Sequence, residues 1–118
     1  MYDYISLYSD DNYSGRIKTE VLEEYLLSTL NLRKESNLKF SKELNGVRII
    51  ITGITADANG NYAFDTLDGV EEVNLIEIEV PCSIDEKIED EITGIAFAIA
   101  AEYSWCVFNH ETSSTIYP

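Results

Sequence analysis

Residues 83 to 108 constrain this chain more than any other stretch, because an amphipathic helix there runs directly into a short aromatic strand. Ile88, Ile92, Ile95, Ala96, Ile99 and Tyr103 recur at the spacing that lays one apolar stripe along a 3.6-residue period. Glu86, Glu89, Asp90 and Glu102 fall off the stripe and give the helix a wet back. Ser83 and Glu86, standing three apart after Pro81, have the reciprocal pattern of a capping box and predict the helix start. At about 1.5 Å per residue the stripe is about 27 Å long, and a twisted sheet is the economical partner for it. Trp105-Cys106-Val107-Phe108 predicts a strand immediately afterwards.

The rest of the chain supplies that sheet. Residues 2 to 8 alternate, with Ile5 and Leu7 on one side and Tyr2, Tyr4, Ser6 and Tyr8 on the other, and predict a first strand whose tyrosines line the face away from the core. Ile17, Val21, Leu22, Tyr25, Leu26 and Leu30 predict a second helix over about 16–30, and residues 31 to 36 a connection. Asn45-Gly46 is the positive-φ pair of a type I′ turn, so residues 37 to 55 predict a hairpin whose long second strand is apolar on both sides. Thr55 to Asp65 is similar to the turn-and-strand repeat of carboxypeptidase-regulatory-like β-sandwich modules. Helices on both sides argue against a sandwich, and an edge hairpin returning through Tyr62 and Phe64 is expected. An EF-hand beginning at Asp57 would need glycine where Tyr62 stands. Val73 to Val80 predicts a strand with Ile76, Ile78 and Val80 inward and Leu75, Glu77 and Glu79 outward. The expectation is one α+β domain over residues 1–118, with two helices on one face of an antiparallel sheet of five to six strands. Its expected topology is a ferredoxin-like split βαβ with an inserted edge strand, and the polar residues 109 to 118 run across an edge.

Charge narrows the function. With 22 Asp plus Glu against 8 Lys plus Arg the net charge is −14, whereas a nucleic-acid reader needs a cationic footprint. Residues 49 to 118 hold fourteen acids and only Lys87, and eleven of those acids lie between Asp65 and Glu91. Such a field draws basic partners and speeds their encounter; it also serves solubility. Cys82 and Cys106 bracket the helix, so a strand-helix-strand crossover puts them at opposite ends of the sheet, beyond the roughly 7 Å Cα limit of a disulfide. Two free, buried thiols are expected, which suit a reducing compartment. The N-terminus lacks a signal-peptide pattern and the longest apolar run, residues 95 to 101, is short of a membrane span. A cytoplasmic location without membrane partners is the corresponding expectation.

The residues offer no motif for catalysis. His110 is the only histidine, and there is no C-x-x-C, Gly-rich phosphate loop or H-E-x-x-H. A non-enzymatic protein without cofactor or metal is expected.

Tyr103-Ser104-Trp105-Cys106-Val107-Phe108-Asn109-His110-Glu111-Thr112 resembles a phrase of the small acidic immunity proteins of bacterial polymorphic toxin and contact-dependent inhibition systems. In these a long helix ends in a Leu-Gly-Trp-x-Val-x-Asp-like run followed by Gln-Thr or Glu-Thr. Serine stands here where glycine is usual, and Asn109-His110 where Asp-Pro is familiar. The resemblance covers about ten residues and implies a protein that neutralises a cognate toxin by binding it; a monomer or homodimer is expected. Combined with the charge, it makes Glu71, Glu72, Glu77, Glu79, Glu86, Glu89 and Asp90 the candidate partner-binding acids for a basic toxin domain. Tyr2, Tyr4 and Tyr8 are their candidate apolar anchors. Two other expectations compete: a phage-type inhibitor or DNA mimic acting on a host nucleic-acid enzyme, marked by evenly spaced carboxylates, and a small ferredoxin-like enzyme or regulatory domain, marked by a deep polar pocket.

Overall fold

The computed structural model describes residues 2–56, 71–81, 84–110 and 114–117, with residues 2, 3, 114, 116 and 117 described by their backbone only. The expected hairpin through Tyr62 and Phe64, the acidic loop from Asp65, Cys82 and the capping serine Ser83 lie outside the described residues, as does the side chain of Tyr2. The elements in order are β1 (Tyr2–Tyr8), β2 (Ile17–Lys18), α1 (Thr19–Ser28), β3 (Arg33–Ser36), β4 (Lys39–Leu44) and β5 (Val47–Ile54), then β6 (Glu72–Val73), β7 (Leu75–Pro81), α2 (Glu86–Tyr103), β8 (Cys106–Asn109) and β9 (Ser114–Tyr117). Seven strands form one sheet in the order β3-β4-β5-β7-β1-β8-β9, and β2 pairs with β6 in a separate ribbon. Every described pairing is antiparallel.

The β4–β5 hairpin forms where Asn45 and Gly46 place it, at φ 51° and 83°, the two positive values a type I′ turn requires. Register then sorts the side chains. Ile5, Leu7, Phe40, Ile49, Ile51, Ile76 and Ile78 lie on one face, where Leu22 and Leu26 of α1 and Ile88, Ile92, Ala96 and Ile99 of α2 join them in one core. Both helices therefore cover the same face. Tyr25 joins them, its hydroxyl donating to the Ala98 carbonyl at 3.2 Å. Gly53 belongs to this packing: a Cβ there would sit 3.1 Å from Leu38 Cδ2 and 3.2 Å from Val73 Cγ2, closer than a well-packed core accepts without a shift.

Several boundaries differ from expectation for local reasons. The sheet gains β3 and β9 beyond the expected five to six strands, because Arg33–Ser36 and Ser114–Tyr117 pair through their backbones although neither shows apolar alternation. The connection over 31–36 and the edge run after Asn109 are thus partly strand. Helix α1 starts three residues later than expected because Ile17 and Lys18 pair with Val73 and Glu72, and the Thr19 amide donates to the Glu71 carbonyl at 2.9 Å. Val21, included in the expected stripe, lies off the face that Leu22 and Leu26 bury and is 51% exposed. The expected strand Val73 to Val80 divides at Asn74 into β6 and β7, and Leu75, on the outward register, is nevertheless buried in a small second cluster with Ile54 and Ala56, against which Tyr8 and Tyr13 pack.

Helix α2 is capped by Asp85, whose carboxylate accepts from the Ile88 amide at 2.9 Å. That moves the expected start from Ser83 to Asp85 and makes Glu86 the first helical residue, where an acid meets the positive helix end. At the other end Ser104 takes the left-handed conformation, φ 58°, and the Trp105 amide returns to the Ala100 carbonyl at 3.0 Å. A left-handed C-cap is the position glycine fills at least cost. Replacing Ser104 by glycine should raise stability by about 0.5–1 kcal/mol, read as a higher urea midpoint at unchanged m-value.

Candidate functional site

The structure distributes the candidate acids among three places. Glu77 and Glu79 alternate with the core residues Ile76 and Ile78 and so lie on the sheet face away from the helices, both half-buried. Tyr4 sits beside Glu79 in the β1–β7 register, is 41% exposed, and its hydroxyl lies 3.4 Å from Glu79 Oε1. The Glu79 carboxylate raises the phenol's pKa, since a phenolate beside it would be repelled. Tyr8 is on the same face, half-buried against Tyr13 with ring centroids 5.3 Å apart. Glu71 and Glu72 are exposed beside the start of α1, through the β2–β6 ribbon, at the end of the sheet where β7 begins. Glu86, Glu89 and Asp90 are exposed on α2, which starts beyond the far end of β7. Strand β7 is seven residues long, so about 20 Å of strand separates the last two groups.

Only the third group is compact. Glu86, Glu89 and Asp90 occupy i, i+3 and i+4, neighbouring positions on one side of a helix with Cβ atoms about 5–6 Å apart. Among the described residues none of the three is held in an ion pair. Like charges so placed repel one another, and the positive end of the helix offsets part of that cost.

Two arrangements on the open sheet face escaped the sequence reading because their members come from different strands. Ser6 Oγ and His110 Nε2 are 2.7 Å apart, and the His110 amide donates to the Tyr4 carbonyl at 3.1 Å, so this exposed histidine is fixed over the sheet, with Phe108 edge-on at 4.9 Å. Ser6 lies in a central strand paired on both sides, so the strand amides are committed to the ladder and no N–H is spare for an oxyanion.

The second arrangement centres on Glu35. Its Oε1 accepts from Arg33 at 3.0 Å and Ser41 Oγ at 2.5 Å, and lies 3.1 Å from Arg48. The Ser41 and Arg33 hydrogen bonds, with the nearby guanidinium charges, hold the carboxyl at about 2, below its ordinary 4.5. A depressed folded value stabilises the protein above the unfolded value and is lost as pH falls through the folded one. The stability difference between wild type and Glu35→Gln should therefore be full near neutral pH and shrink from pH 4.5 towards about 2. Urea titrations across that range check it.

Cys106 is a free thiol, half-buried rather than buried, and its Sγ lies 3.1 Å from the Tyr8 carbonyl. Burial pushes its pKa up, which favours the thiol over the thiolate. Among the described residues no group of His, Cys, Asp and Glu could hold a metal ion, and no helix is long and apolar enough to cross a membrane. No family model, curated protein or solved structure matches the chain.

Proposed function

We propose that this chain is a protein-binding inhibitor that neutralises a basic toxin, the role implied by its resemblance to immunity proteins, and that it does so with the acidic start of α2. The observation that carries this reading is the exposed Glu86, Glu89 and Asp90 cluster, free of ion pairs among the described residues. A cationic partner relieves the repulsion among these groups on binding, and the long-range field speeds the encounter. Crowding also favours an immunity protein over a DNA mimic. Glu86, Glu89, Asp90 and Glu91 share the first two turns of α2 and Glu102 stands near its end, which is not the even spacing of a phosphate backbone.

The proposed scaffold is ferredoxin-like. Elements β1, α1, β5, β7, α2 and β8 follow one another as βαββαβ, and the spatial order β5-β7-β1-β8 is the one that topology requires. On this reading β3, β4 and β9 are additions at the two edges.

The test is capture of a partner by the tagged protein, followed by binding and growth assays with that partner purified. The triple variant Glu86→Lys/Glu89→Lys/Asp90→Lys should bind at least tenfold more weakly, lose most of the salt dependence and fail to protect cells producing the partner. Unchanged binding and protection by that variant would rule out the acidic cluster as the docking site. A partner that proves to be a housekeeping nucleic-acid enzyme would replace the immunity role with that of a host-enzyme inhibitor.

A further inference from the structure

The sheet face opposite the helices is charged unlike the rest of the molecule. The two helices expose seven acids and one base, Lys87. Among the described residues, strands β3, β4, β5 and β7 carry Arg33, Lys39 and Arg48 against Glu35, Glu43, Glu77 and Glu79 on this face, one acid in excess in a chain of net charge −14, while Asp10 and Asp11 lie towards its Tyr8–Cys106 side. Its charges are also ordered. The cations Arg33 and Lys39 are on β3 and β4, the acids Glu77 and Glu79 on β7, and β5 runs between them. Two of the three cross-strand rows repeat this order, Lys39 pairing with Thr52 and Thr52 with Glu77, while Ser41, opposite Arg33, pairs with Ile50 and Ile50 with Glu79; in the third, Glu43 of β4 faces Arg48 of β5 and the two signs meet within one copy.

We infer that this face binds a second copy of the chain, sheet against sheet, about a two-fold axis lying along β5. A two-fold in the plane of the contact and parallel to the strands exchanges the sides of β5 while keeping each row in place. It sets β4 of one copy over β7 of the other, so Lys39 meets the second copy's Glu77 and the reciprocal pair forms on the far side. Arg33, on β3, comes over the Tyr4–Glu79 side of the second copy, where a guanidinium finds both a carboxylate and an aromatic face. Ile50 and Thr52 meet their own counterparts at the centre. Arg48 is the one cation that the axis sets against its own counterpart, a like charge that Glu35 offsets at 3.1 Å, and the same carboxylate holds Arg33 at 3.0 Å. Such a contact is isologous and closed, so it stops at a dimer. It also joins the copies by the faces where repulsion is least, leaving both acidic α2 starts free.

From β3 to β1 the contact spans five strands, about 24 Å at about 4.8 Å per strand, a small interface by the measure of roughly 800 Å² per partner. Reversible association in the micromolar to millimolar range is expected.

Sedimentation equilibrium on the full chain over that range, at low and high salt, tests the inference. A mass rising from monomer to dimer, and rising less at high salt, is expected. Lys39→Glu and Glu77→Lys should each weaken association at least tenfold, and the double variant should return to within about threefold of wild type, because each copy then offers the reversed pair to the other. Glu89→Lys, on the helix side, should not weaken it. Circular dichroism establishes that each variant is folded. A monomer mass at every concentration, single variants that associate as wild type, or a double variant that does not recover would each overturn the inference.

Discussion

Replacing Asn74 by alanine is expected to cost about 3 kcal/mol, a large share of the roughly 5–15 kcal/mol that holds a domain of this size together. Asn74 is 1% exposed and stands where β6 ends and β7 begins. Its Oδ1 accepts from the Ala56 amide at 2.7 Å, and its Nδ2 donates to the Ala56 carbonyl at 2.8 Å and the Tyr13 carbonyl at 3.2 Å. One side chain thus supplies the partners that Ala56, just beyond β5, would otherwise draw from a ladder. Alanine removes them and leaves a buried N–H and C=O unpaired, which costs more than the bonds themselves contribute. The Asn74→Asp variant separates this account from simple loss of volume. A carboxylate keeps the shape but sets negative charge against two carbonyl oxygens, so its pKa in the folded protein is raised. Its destabilisation should be largest at neutral pH and diminish on acidification, when the protonated group regains one donor. Urea unfolding at neutral and mildly acidic pH reads both variants.

Asn74 also shows where the sequence stops being legible. The elements that could be read are those whose signal is carried by neighbours in the chain: the apolar stripe of α2, the Asn45-Gly46 turn, and the alternation in β1. The missed elements take their reason from residues far away. Strand β3 is a run of charges that pairs because β4 lies beside it, and Ile17–Lys18 is drawn out of the helical pattern by Val73 and Glu72. Asn74 reads as one more polar residue inside a strand until Ala56 and Tyr13 are placed around it. The candidate site shows the same division. Sequence spacing brought Glu86, Glu89 and Asp90 together correctly because a helix is local. It also suggested that Glu77 and Glu79 belong with them, whereas a strand's alternation turns those two to the sheet face away from the helices. Acids that are close in sequence ended on different surfaces, and the cations of β3 and β4 came to share a sheet face with the acids of β7 only through the fold.

The largest effect expected from a single core truncation comes with its own control on the same strand. Ile51 is fully buried, paired between Phe40 of β4 and Ile78 of β7 beneath the helices. Ile51→Ala should cost about 2–5 kcal/mol, the transfer energy of the lost carbons together with the cavity they leave. Its neighbour Ile50 points the other way, half-buried between Ser41 and Glu79 on the open face. Ile50→Ala removes the same atoms from a surface that water already reaches, and in the monomer should cost about 1 kcal/mol. The contrast tests the face assignment directly, because a register slip of one residue would exchange the two values. It also responds to the second copy. If the open face is covered in a dimer, the cost at Ile50 rises with protein concentration while the cost at Ile51 changes less, since only the former residue is buried by association. Thermal unfolding of both variants at dilute and near-millimolar concentrations measures the two costs side by side, and equal concentration dependence at Ile50 and Ile51 would place the dimer contact elsewhere.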